Sequence, residues 1–165
     1  MTTLSAMDFL GLAEQKRVAR VDLESVGFQG QVFVCDLTTA QQQRILAPRP
    51  GTRVKTDKGA MEFDLADMPR DAGAKFLLAT MVTDTKDGAL LNAAWQALPD
   101  GEKFFTIAKS ELVFLADTWR RELKNEREVE KRLEELSSVV VDAIVKVVRD
   151  ISGIATDEAE EKKDN

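Results

Sequence analysis

The sequence contains no histidine, no tyrosine and a single cysteine, Cys35. Without an imidazole, Ser-His-Asp and Cys-His catalysis, histidine zinc sites and histidine pH switches are all excluded. One cysteine excludes an internal disulfide and any CxxC metal or redox motif. The glycines form neither GxGxxG nor the P-loop pattern, so nucleotide binding has no support. No apolar run approaches the roughly eighteen residues that span a bilayer. Residues Met1 to Leu12 carry Asp8, lack a basic start and are interrupted by Ser5 and Gly11, which is not a secretory signal. A cytoplasmic protein without membrane contact is expected. Twenty-three basic against twenty-nine acidic residues give a net charge of −6, which argues against general attraction to nucleic acid. Most enzyme chemistries lose their usual tools. The expectation is a binding or assembly protein, not an enzyme, with no metal and no cofactor.

What is present suits a soluble globular chain: 165 residues, 44% apolar and 32% charged. Ala19, Val21 and Leu23 alternate with Arg20 and Asp22, a strand pattern. Gly27-Phe28-Gln29-Gly30 then leads into the apolar residues Val32, Phe33, Val34 and Cys35, which run on to Leu37, so the segment reads as a hairpin. Both sides of its second strand are apolar, which requires a cover on each face or a paired edge. Thr38-Thr39-Ala40-Gln41 fits a capping box and starts a helix that Pro48 and Pro50 stop. Asp57-Lys58-Gly59 between Val54-Lys55 and Met61-Glu62 signals a small second hairpin, with a solvated excursion as the other reading of residues 49–69. Asp67 caps a helix with Pro69 in its first turn, carrying Phe76, Leu77, Met81 and Val82 on one face to Asp84. Thr85 to Gly88 is a turn, a further helix begins near Asn92, and Pro99-Asp100-Gly101 closes it.

The final third reads as helical, with Leu112, Leu115, Trp119 and Leu123 resumed at Val129, Leu133, Leu136, Val140, Ile144, Val147 and Ile151. Between them, Arg120 to Glu135 has twelve charged residues in sixteen, six of each sign. Such a balanced run solvates a helix more often than it binds a ligand. Ser137-Ser138 marks a break or a new helix start, and Ser152-Gly153 stops the pattern. Thr156 to Asn165 is an acidic tail expected to be disordered. The expected fold is α+β: one or two N-terminal β-hairpins, then a mainly α-helical domain with a long C-terminal amphipathic helix or helix pair. Its divisions are a leader (1–15), a hairpin and helices domain (16–101), a helical region (102–155) and the tail (156–165).

Candidate chemistry is thin. Cys35 sits in an apolar strand with no histidine to activate it and reads as a small hydrophobe. Asp84, Asp87 and Asn92 bracket a turn, but Trp95 stands where an EF-hand loop needs its glutamate. Glu62, Asp64 and Asp67 are carboxylates with nothing to fix their separation. Trp95, Phe104, Phe105, Phe114 and Trp119 concentrate aromatics mid-chain, and Leu112-Val113-Phe114-Leu115 is wider than one helical stripe needs. That surplus makes Trp95, Phe105, Leu112, Leu115 and Trp119 the candidate protein-binding residues, facing a helical client or a second copy of the chain.

The order of elements carries a resemblance. A basic-flanked strand from Lys16 is followed by Gly27-Phe28-Gln29-Gly30 and a strand ending Val34-Cys35-Asp36-Leu37-Thr38. Then come a short polar helix, Met81-Val82-Thr83-Asp84, Lys86-Asp87-Gly88 before Leu90-Leu91, and Val145 to Ser152-Gly153 with a charged tail. Over residues 16–98 and 139–165 this resembles the tail assembly chaperones of long-tailed bacteriophages. The resemblance implies a non-enzymatic protein of the host cytoplasm that coats the tape measure protein and helps recruit tail tube subunits around it. Such families often make a longer product by ribosomal slippage, and Glu161-Lys162-Lys163 can be encoded by a slippery run. The rival expectation is a structural tail or connector subunit of the virion.

Overall fold

The computed structural model describes residues 2–45, 54–55, 61–62, 72–84 and 89–154. The chain is α+β. The N-terminal hairpin consists of β1 (Gln15–Asp22) and β2 (Gln31–Cys35), which pair antiparallel with Val18 opposite Cys35 and Ala19 opposite Val34. A 3-10 turn over Leu23–Val26 joins them and ends on Gly27 at φ 93°, a left-handed position that glycine takes without strain. The capping box forms as the sequence prescribes. The Gln41 amide donates to Thr38 Oγ1 at 3.1 Å, and Gln41 Oε1 accepts from the Thr38 amide at 3.0 Å, opening α2 (Thr39–Ile45). β3 (Val54–Lys55) and β4 (Met61–Glu62) pair antiparallel as a separate two-stranded sheet. The turn at Asp57 to Gly59, the cap at Asp67 with Pro69, the turn at Thr85 to Gly88 and the tail from Thr156 lie outside the described residues.

Two expectations need correction. α3 (Ala72–Thr80) stops at Thr80, and Met81–Asp84 is a strand, β5, paired with β2 through Phe33 opposite Val82. A short apolar run does not choose between helix and strand by period alone; here the β-branched pair Val82-Thr83 and the open edge of β2 decide it. Likewise Leu112–Phe114 is not the first turn of a helix but strand β7, paired with β5 through Asp84 opposite Leu112. Leu112 and Phe114 alternate onto the inner core, while Val113 between them is half-buried on the other side of the strand. Ahead of it come α4 (Ala89–Gln96), which starts before Asn92, and β6 (Phe105–Ala108), which pairs with β1.

The rest of the final third is three helices. α5 (Leu115–Leu123) ends where Lys124 turns left-handed at φ 54°, and α6 (Glu126–Glu134) restarts with the Asn125 side chain accepting from the Arg127 amide at 3.0 Å. α7 (Ser138–Ile151) is the long amphipathic helix, beginning at the expected serine pair and ending before Gly153 at φ 75°. The balanced charge run is thus divided between α5, α6 and the break between them. It stays on the surface, with Arg132 donating to Glu128 at 3.1 Å.

The main sheet has the order β6-β1-β2-β5-β7 and is antiparallel throughout. Strands from before and after residue 101 therefore share one sheet. Its two edges, β6 and β7, are joined only by the 3-10 turn Lys109–Glu111. In a flat sheet those edges would lie four strand spacings apart, about 19 Å, whereas four residue steps reach about 14 Å at most. The sheet is therefore strongly curled. Its inner face gathers residues of all five strands, Val18, Phe33, Cys35, Val82, Phe105 and Leu112, around Leu91 of α4. Its outer face, with Ala19, Val21, Val34 and Met81, carries a second core made with α3, α6 and α7.

Candidate functional site

α7 lies along β1, and its two ends are fixed differently. At its C-terminal end the Arg17 guanidinium donates to the Ile151 carbonyl at 3.2 Å and stacks on Phe104 at 4.6 Å. The Leu37 amide donates to Ser152 Oγ at 3.0 Å. At the other end the connector from α6 leaves Leu136 and Val139 exposed, at 40% and 46%. Next to them opens an apolar groove of about 400 Å³. Its floor is Val32 and Met81 on the outer sheet face with Leu23 of the 3-10 turn, and its walls are α5 (Trp119, Leu123), α6 (Val129, Leu133) and α7 (Val140, Ile144). Leu136 stands at the mouth, and Glu122 and Arg132 supply the charged rim.

The local sequence explains why the groove exists. Lys124-Asn125 breaks what would be one helix into two, so α5 and α6 meet at a corner and do not continue side by side. The angled pair presents Trp119, Leu123, Leu133 and Leu136 around a gap, while the charges of the Arg120 to Glu135 segment face solvent. A concave apolar surface with a few polar groups at the rim is what accepts an apolar ligand or the hydrophobic face of a helix. The chain matches no protein-family model, no curated protein and no solved structure. What this surface does has to be argued from its own chemistry.

The five candidate binding residues do not come together. Phe105 and Leu112 are buried in the inner core, at 9% and 7% exposure. Leu115 and Trp119 pack against the outer core, and of the five only Trp119 lines the groove. Trp95 on α4 packs against both clusters, and the Arg20 guanidinium sits 5.7 Å from its ring. Leu123, Leu133 and Leu136 were visible as members of the helical series. Their place at a groove was not, because it depends on the corner at Lys124.

No three His, Cys, Asp or Glu side chains gather as a metal site among the described residues. Asp84 is buried and accepts the Leu91 amide on both carboxylate oxygens, at 3.0 and 3.2 Å. It caps the first turn of α4 and is not a ligand waiting for a cation. Asn92, the other described member of that trio, accepts from Gln31 Nε2 at 2.7 Å. Of Glu62, Asp64 and Asp67, the last two lie outside the described residues. Cys35 is fully buried, with Sγ 3.9 Å from the Ala79 carbonyl. Burial pushes its thiol up to about 11, only partly offset by the nearby Lys16 charge. At neutral pH it is a protonated, unreactive hydrophobe.

Proposed function

We propose that this chain is a tail assembly chaperone of a long-tailed bacteriophage, which shields helical segments of the tape measure protein and helps recruit tail tube subunits. The observation that carries the binding half of this reading is the groove between α5, α6 and α7, with Trp119 in its wall and Leu136 at its mouth. A client helix laid there would bury its apolar face against leucines and a tryptophan, which are the usual anchors of helix-in-groove recognition. The phage assignment rests on the sequence resemblance over residues 16–98 and 139–165. No step of the reading requires catalysis, a cofactor, nucleic acid or a membrane. No helix among the described residues is long and apolar enough to cross a bilayer.

The test joins genetics to binding. A chaperone gene should lie between a tail tube gene and a very long tape measure gene, and the protein should co-purify with the tape measure product on co-expression. Leu136→Asp, on an exposed side chain, should abolish co-purification while leaving the melting temperature unchanged. Co-purification that survives this substitution, and Trp119→Ala as well, removes the groove from the reading. Mass spectrometry of purified particles distinguishes the rival role: many copies in the virion would make the chain a structural subunit.

A further inference from the structure

Leu115 to Glu134 contains neither glycine nor proline. At about 100° per residue, Leu115, Trp119, Leu123, Val129 and Leu133 would fall within about 120° of arc on one continuous helix about 30 Å long. The sequence thus suits a single amphipathic helix, yet the structure breaks it. Lys124 closes α5 at φ 54° and is the one non-glycine residue among the described residues with a left-handed backbone. A β-carbon disfavours that conformation. What holds the corner is local. The Lys124 amide donates to the Arg120 carbonyl at 3.1 Å, the Asn125 side chain accepts from the Arg127 amide at 3.0 Å, and Arg120 pairs with Glu126 at 3.4 Å. A straight helix would also set like charges four residues apart, Arg120 with Lys124 and Glu122 with Glu126. In a single molecule the corner therefore stays closed.

Beyond the corner, α6 and α7 form a unit. Val129, Leu133, Val140, Ile144 and Val148 pack it on α3 and on Ala19 and Val34 of the outer sheet face. The body keeps α1 (Ala6–Gly11) through α5 and the whole main sheet. Among the described residues, Lys124-Asn125 is the only covalent tie between the unit and the body. Opening the corner in one molecule would bare both apolar surfaces. Two molecules opening together need bare neither, because each unit fits the other's body with the contacts it makes at home. Short hinges under strain favour that exchange. We infer that Lys124-Asn125 is such a hinge, about which two copies exchange α6–α7 to form a closed, reciprocal dimer with α5 and α6 running as one helix. The second copy's unit is specified for this place by every contact already made within the monomer. The inference does not depend on what the groove binds.

Exchange requires α6–α7 to detach, so it is populated by refolding the full-length chain from guanidinium at high protein concentration. A dimer should form, separate from the monomer on gel filtration and persist for hours after dilution. A β-carbon at Gly73 of α3 would lie 3.7 Å from Val141 Cγ1 of α7, so a Gly73→Cys/Val141→Cys variant reports which chain supplies α7. On a denaturing, non-reducing gel its oxidised monomer should run as a single chain and its oxidised dimer as a covalent pair. Lys124→Gly relieves the left-handed strain and should lower the dimer yield at least fivefold. Lys124→Ala/Asn125→Ala removes the cap, favours a straight helix and should raise the yield by a similar factor. Both positions are exposed, so these two chains keep the monomer fold. The absence of a dimer from both the wild type and the double-alanine chain overturns the inference. So does a dimer whose disulfide stays within one chain, or a yield indifferent to both hinge variants.

Discussion

The two faces of the curled sheet are buried by different means. On the outer face, α3, α6 and α7 pack Leu77, Val129, Ile144 and Val148 against Ala19 and Val34, and these helices lock one another in place. On the inner face, one eight-residue helix, α4, sets Leu91 into a ring of strand residues rich in phenylalanine. The inner core is therefore shaped by the sheet and only plugged by a helix. The outer core is shaped by helices, and wherever those helices turn a corner the cover can gape. The groove lies on the outer face for that reason. A groove opens where the cover is assembled from several parts.

The largest test of this contrast compares two fully buried leucines. Leu77→Ala in the multi-helix core should cost about 4 kcal/mol, near the top of the usual range, because interlocked helices cannot close the cavity. Leu91→Ala should cost about 2–3 kcal/mol, because a single short helix can settle inward. Equal losses in urea melts would break the comparison. Next comes pH. Cys35 holds its proton more tightly in the folded chain, with its pKa raised from 9.0 to about 11. Its contribution is intact below pH 9 and is lost as pH rises through that window, where the unfolded thiol ionises and the folded one does not. The wild type should lose roughly 2–3 kcal/mol between pH 9 and 11 relative to Cys35→Ala, measured in parallel melts.

A smaller effect isolates the plug. Asp84→Ala leaves the buried Leu91 amide without its acceptor and should cost about 1–2 kcal/mol, with faster amide exchange in α4 and little change in α7. Uniform acceleration in both helices would show that the faces are not separable. The smallest effect concerns the groove: Leu136→Asp should change stability by less than about 0.5 kcal/mol, because the side chain is surface-exposed, at 40%.

Much of the fold was legible where local chemistry speaks for itself. The alternation of Ala19, Val21 and Leu23, the Thr38–Gln41 box and the Ser137-Ser138 start each encode their element within a few residues. The two-sided apolar character of Val32 to Cys35 also announced a cover on both faces. The errors fell on Met81–Asp84 and Leu112–Phe114, whose strand state is supplied by partners distant in sequence. The groove was half legible. Trp119 and the leucine series were in view, but Leu112 was chosen for apolar width that belongs to a strand, and Phe105 for aromatic density that belongs to the inner core. The corner that gathers Leu123, Leu133 and Leu136 depends on a left-handed lysine, a conformation that no residue-type preference predicts. The exposure of Leu4, Met7, Phe9, Leu10 and Leu12 was not legible either, because exposure is a property of the fold, not of the segment.

The turn Lys109–Glu111 joins strands at opposite edges of one sheet. Residues 105–114 therefore protect two exposed backbones at once: β6 covers β1, and β7 covers β5. Until this stretch has been synthesised, the hairpin β1-β2 and strand β5 present bare edges, the usual template for aggregation. The pairing of Val18 with Phe105 spans most of the chain, so sheet closure is a late, high-contact-order event. The coverage of two strand edges thus rests on ten consecutive residues.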